Sequence, residues 1–128
     1  MAGLSDYLEN IVINHLFRNQ SYTPPSTIYI GLFTTAPTDA GGGTELSGGS
    51  YARQIVTLSA ASGGATSNSA DITFPTATAD WGTIVAAGIF DASTAGNLLA
   101  WNNLTQSKTV NNGDTFKIMS GSLTLTID

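Results

Sequence analysis

The sequence predicts a mainly β protein: an antiparallel β-sandwich or jelly-roll-like barrel of about seven to eight strands, with one short N-terminal α-helix. Three features carry this. Apolar residues recur at helical spacing near the N-terminus and nowhere downstream. From Thr27 onward, short runs of β-branched and aromatic residues are separated by clusters of Gly, Ser, Asn and Asp. The final stretch alternates with the period of a strand, Leu123, Leu125 and Ile127 falling on one face and Ser122, Thr124 and Thr126 on the other.

Leu4, Leu8, Ile11, Val12 and Leu16 set the helical stripe, with Asp6 and Glu9 near its start and Arg18 near its end, as the helix dipole favours. A helix over residues 4–18 follows. Ser5 is its expected N-cap, although no Glu or Gln stands three residues on to complete a capping box. Pro24-Pro25 then forces an extended connection. Residues 28–33 are apolar on both faces, as in a central strand covered on both sides, and the helix is one candidate cover. Residues 37–50 are too long and Gly-rich for a tight turn and are expected to form a contact arm. Further strands are expected over residues 53–58, 71–74, 83–90, 98–101, 115–119 and 122–127. Ala95-Gly96-Asn97, Asn112-Gly113-Asp114 and Ser120-Gly121 supply turns between them. The whole reads as one compact unit, a helical segment over 1–20 and a single β domain over 21–128.

Only 10% of the 128 residues are charged, against about 25% in typical domains. Eighteen Thr, 13 Ser and 14 Gly make up the polar balance, so the exterior is rich in neutral hydroxyls. Such a surface is far less costly to desolvate than one of unpaired ions, which suits life inside an assembly. The net charge of −5, with Arg18, Arg53, Lys108 and Lys117 as the cations, leaves no basic patch for nucleic acid. The absence of Cys excludes a disulfide framework and a thiolate metal site. No basic-then-apolar leader and no apolar run of membrane length occur, so a product of the cytoplasm with no membrane partner is expected.

No catalytic set emerges. His15 is the single histidine and borders the helical stripe, where a packed or helix-capping role outweighs a metal or triad role. Asp71, Asp80, Asp91 and Asp114 fall at strand ends or turns, where Asp bonds nearby backbone amides, and no spacing indicates a carboxylate pair for glycoside hydrolysis. The Gly41-Gly42-Gly43 run lacks the Lys-Ser or Lys-Thr of a phosphate loop, and Asp39 and Glu45 beside it lack the ligand series of a calcium loop. No enzyme activity, cofactor or metal is therefore expected. Trp81, Trp101, Tyr22, Tyr29 and Tyr51 suit either a sugar-stacking platform or core and interface packing, with packing the weightier reading. Arg53, beside Tyr51, suits an ion pair to a neighbouring subunit or a surface pair of little worth. The candidate interface residues are Leu8, Ile11, His15, Gly41, Gly42, Gly43, Tyr51, Arg53, Trp81 and Trp101.

Several phrases occur in a characteristic order: residues 22–33 (YTPPSTIYIGLF), 48–54 (GGSYARQ), Gly88-Ile89-Phe90-Asp91, 96–101 (GNLLAW) and 110–115 (VNNGDT). Together they resemble, over nearly the whole chain, a family of small tailed-bacteriophage virion proteins commonly labelled tail fibre proteins. The resemblance implies a structural virion component made in the host bacterium, where the Asn103-Leu104-Thr105 sequon is idle. Two roles remain open. One is a capsid decoration or cement protein bound to the major capsid protein. The other is a tail, collar or fibre-base accessory that helps the particle meet its host, with a host glycan as a further ligand. Self-association is expected in both.

Overall fold

A computed structural model describes residues 3–127. Its single helix, α1 (Asp6–Phe17), is followed by nine strands: β1 (Ile28–Thr35), β2 (Thr44–Glu45), β3 (Gln54–Val56), β4 (Ala65–Ser67), β5 (Ile72–Thr73), β6 (Gly82–Phe90), β7 (Leu98–Val110), β8 (Lys117–Ile118) and β9 (Thr124–Thr126).

Ser5 is the N-cap: its backbone is extended and its Oγ accepts the Leu8 amide at 3.2 Å. The helix begins two residues later than predicted because the chain ahead of it belongs to the sheet. Leu4 bridges Ala100, the Ser5 N–H donates to the Leu99 carbonyl at 2.8 Å, and Trp101 N–H donates to the Gly3 carbonyl at 3.2 Å. At the far end, Asn19 takes a left-handed conformation (φ 55°), and the amides of Arg18 and Gln20 both donate to the Asn14 carbonyl.

The main sheet has five strands. β1 pairs along one side with β6, which pairs with β7, all antiparallel. β2 and β3 share the other side of β1, β3 opposite Ile28–Ile30 and β2 opposite Phe33 and Thr35. In the gap between them the Leu32 N–H donates to the Tyr51 hydroxyl (3.0 Å) and its carbonyl accepts the Leu46 amide (3.0 Å), so no backbone group of this buried residue is stranded. Two small sheets, β4–β9 and β5–β8, complete a sandwich-like body that does not close into a barrel.

The principal core joins Ile30, Leu32, Ile84, Ala87 and Val110 of the main sheet to Ile72, Phe74 and Trp81, with Phe116, Ile118 and Leu123 packed against it. Ile84 and Ala87 both reach this core despite their odd spacing, and between them the β6–β7 register is irregular, Ile84 pairing with Lys108 and Ala86 with Asn103. Phe33, Ala86 and Phe90 form a second cluster on the opposite face. The first strand is thus covered on both sides, as expected, but the helix is not its cover. α1 packs on β7 instead and has no buried residue. Leu16, counted in the predicted stripe, is 66% exposed, with Ile13 at 52% and Phe17 at 79%. The hydrogen bonds that tie α1 to the sheet and to the Gly-rich segment come from Ser5 and Asp6 at its N-terminal end, while Ile13, Leu16 and Phe17 toward its other end are exposed.

Two strands were not predicted. β4 (Ala65–Ser67) lacks an apolar alternation, and β2 (Thr44–Glu45) lies within the Gly-rich segment. β7 extends well past the predicted 98–101 through its pairing with β6, and its polar, exposed second half carries no apolar signal in the sequence. On either side of β9, Leu123 packs on the core while Ile127 is exposed.

Candidate functional site

Gly31 has no side chain because three others occupy its space: a Cβ there would sit 2.7 Å from Glu45 Oε2, 3.0 Å from the Phe90 ring and 3.1 Å from the Tyr51 hydroxyl. Arg53 reaches Glu45 through two bonds of 2.8 Å, Nε to Oε2 and Nη2 to Oε1, and its guanidinium lies 3.5 Å above the Phe90 ring centroid. Tyr51 donates its hydroxyl to Glu45 Oε2 at 2.6 Å. Arg53 Nη1 also donates to the carbonyls of Ala92 (2.9 Å) and Ala95 (2.8 Å), clasping the turn between β6 and β7. Desolvation alone would raise the Glu45 carboxyl, but the bonds from Arg53 and Tyr51 outweigh it and hold Glu45 below its ordinary value. Burial, reinforced by the bond to Glu45, pushes the Tyr51 phenol up.

Beside this clamp opens a cleft of about 390 Å³ between three segments. The first turn of α1 supplies Ser5, Asp6 and Tyr7, the Gly-rich segment supplies Asp39 and Gly41 to Gly43, and the β6–β7 turn supplies Asn97; Phe33, Phe90 and Leu98 line its apolar side. Each wall is fixed by its own bonds. Ser5 Oγ donates to the Leu98 carbonyl (2.5 Å), and the Asp6 amide donates to the Asp39 carbonyl (2.8 Å). Trp101 Nε1 donates to Asp39 Oδ1 at 2.9 Å. Thr38 and Gly41 exchange a pair of 2.9 Å backbone bonds, which folds this part of the loop into a tight turn. Asn97 donates its amide (2.7 Å) and its Nδ2 (3.0 Å) to Asp91. Burial would raise the Asp91 carboxyl, but these bonds hold it below its usual range. Asp6 and Asp39 line the cleft with no Lys or Arg beside them, while the charge of Glu45, also in the lining, is offset by Arg53 behind it.

The structure gathers some of the predicted residues here and scatters others. Gly41, Gly42 and Gly43 form one rim, Trp101 orients Asp39, and Tyr51 and Arg53 brace the cleft from behind. The Gly-rich segment, expected as a contact arm, is latched within the chain to the helix start and to Trp101 through Asp39. Arg53, for which the sequence leaves open both a pair to a neighbouring subunit and a surface pair of little worth, pairs within the chain with Glu45, its side chain almost fully buried. Trp81 is a core residue, its indole N–H donating to the Gly49 carbonyl at 2.8 Å and its ring standing edge-on to Tyr51, so it presents no platform. Leu8 and Ile11 are half-buried along α1, and exposed His15 donates from Nδ1 to the Gln20 carbonyl at 2.9 Å, tying down the chain after the helix. Sequence reasoning missed Asp6, Tyr7 and Asn97 as cleft residues. Tyr7 carried a signal, an aromatic ring placed off the helical stripe.

The described residues form a small sandwich-like β domain with few charges, many hydroxyls and an exposed helix end. A family model described as podophage GP4 fiber I protein gp80 matches residues 3–126. The chain belongs to this family and is a virion-associated structural protein of the fibre type. No curated protein matches it.

Proposed function

We propose that this protein is a non-enzymatic subunit of a podophage tail fibre, joined to copies of itself and to other virion proteins, and acting in host attachment. The family match over residues 3–126 carries the reading and favours the tail over the head lattice. The exposed apolar end of α1 supports the assembly role: Ile13, Leu16 and Phe17 are more than half exposed on a helix that buries none of its own residues. A patch of that kind gains stability when covered by a partner. Quantitative mass spectrometry of purified particles tests the placement. A tail fibre subunit is expected at a few to a few tens of copies, whereas a ratio near one per major capsid protein would restore the capsid-decoration reading and sink this one. Complementation with Leu16→Ser/Phe17→Ser is expected to yield particles depleted of the protein. Normal incorporation of that variant would remove α1 as the docking element.

A further inference from the structure

We propose that the cleft between the first turn of α1, the glycine rim and Asn97 binds one sugar residue of a neutral saccharide. The inference rests on the fibre reading only for the source of the ligand, a glycan of the host surface; the chemistry is that of the cleft itself.

Four observations select this ligand class. Size comes first: about 390 Å³ lies at the small end of the roughly 300–1,000 Å³ of ligand sites, enough for a single ring with the remainder of a chain outside. Charge comes second. Asp6 and Asp39 line the cleft without a cation beside them, the charge of Glu45 being offset by Arg53, so phosphate, uronate and sialate are disfavoured, while neutral hydroxyls can donate to carboxylate oxygen in short, charge-assisted bonds. Asp39 is placed for this: Oδ1 is held by Trp101, and Oδ2 has no hydrogen bond among the described residues. Third, the site presents both a polar and an apolar side. Tyr7 is 39% exposed at one wall and Leu98 lines the cleft, offering apolar surface to the C–H face of a pyranose, while the glycine rim lets a ligand approach the backbone. Fourth, the polar groups are already fixed. Asn97 is held by two bonds to Asp91, and Asp39 by its carbonyl and carboxylate bonds, so little ordering remains to oppose binding.

A metal ion is not the occupant: no group of three or more ligating side chains suited to one occurs among the described residues. Glu45 offers a ligand neither net charge nor a free oxygen, because Arg53 offsets its charge and both its oxygens are engaged by Arg53 and Tyr51.

Saturation-transfer NMR on the intact chain tests the proposal. The probes are glucose, galactose, mannose, rhamnose and N-acetylglucosamine as neutral sugars, glucuronic and N-acetylneuraminic acids as anions, and glucosamine as a cation. At least one neutral sugar is expected to bind saturably with a dissociation constant of about 1 mM, and the acids not at all. Ala40→Trp obstructs the mouth from an exposed position, and Asp39→Asn keeps an acceptor for Trp101 while removing the charge. Each is expected to weaken binding at least about tenfold with thermal melting unchanged. Absence of any neutral-sugar signal at about 10 mM would overturn the proposal. So would preferential binding of an acid or of glucosamine, or binding that survives both variants. The fibre reading fails separately: sugar binding by a protein found at capsid copy number would leave the cleft standing and remove the fibre, whereas a tail protein that bound no sugar would do the reverse.

Discussion

A methyl group at Gly31 would stand 2.7 Å from Glu45 Oε2, closer than any real Cβ contact, so either the strand or the Glu45–Arg53 pair must shift. Gly31→Ala is therefore expected to lower the melting temperature, and a wild-type melting curve would mean that the clamp tolerates displacement. Arg53→Ala goes further, leaving Glu45 partly buried without its cation and the Ala92 and Ala95 carbonyls without their donor. A loss of about 3 kcal/mol in chemical denaturation is expected. Asn68 is a second pin of this kind. It is buried, its Nδ2 donates to the carbonyls of Ala70 and Met119, and its Oδ1 accepts the Leu123 amide. Asn68→Leu strands those partners and is expected to cost about 2–3 kcal/mol, read in the same denaturation experiment.

The helix is held at one end and open at the other, and substitutions along it should divide accordingly. Ser5→Ala removes the cap for the Leu8 amide and the donor to the Leu98 carbonyl, at an expected cost of about 1–2 kcal/mol with loss of helical circular dichroism. Leu16→Ser and Phe17→Ser leave the isolated chain within about 0.5 kcal/mol of wild type, because water already reaches both residues. Leu8 and Ile11 fall between these cases. They are half-buried, so replacing both with Ser should cost less than a fully buried helix face would. Hydrogen exchange should show the same gradient, with amides near Ser5 more protected than those near Phe17. Uniform protection along α1 would mean that the exposed end is covered in solution.

Across the whole molecule, Glu45, Asp71 and Asp91 are all held below their ordinary carboxylate values. The folded state then binds fewer protons than the unfolded one through the acid range. Their stabilisation is fully present above the unfolded carboxylate values of about 4 and is lost as pH falls through the lower folded values. Asp71, held down first by the Ser120 amide and then by Lys117, lies at the surface where solvent and salt screen it, so the more enclosed Glu45 should dominate. The melting temperature is expected to be level from neutral pH to about 5 and to fall below about 4, with a shallower acid limb in Glu45→Gln. An unchanged acid limb in that variant would show that the pair does not couple folding to protonation.

The helix with its Ser5 cap, the two-sided first strand and the turns at Gly96, Gly113 and Gly121 were legible in the sequence because each depends on spacing within a few residues or on a glycine at a left-handed position. The shortest strands were not, since two or three polar residues such as Thr44–Glu45 become a strand only through a neighbour that accepts their bonds. The cleft was less legible still. Its walls join Ser5 to Leu98 across 93 residues and Trp101 to Asp39 across 62, and Arg53 reaches Ala92 across 39. Sequence by itself determined the class of protein: a low-charge, hydroxyl-rich β domain with a helix at its front. Tertiary structure decided that the glycine segment is latched rather than free, that Arg53 turns inward, and that the helix leaves its apolar end uncovered. Local periodicity dictates which side of a strand or helix is apolar, but the partner that meets it depends on which distant strands lie adjacent in the folded sheet.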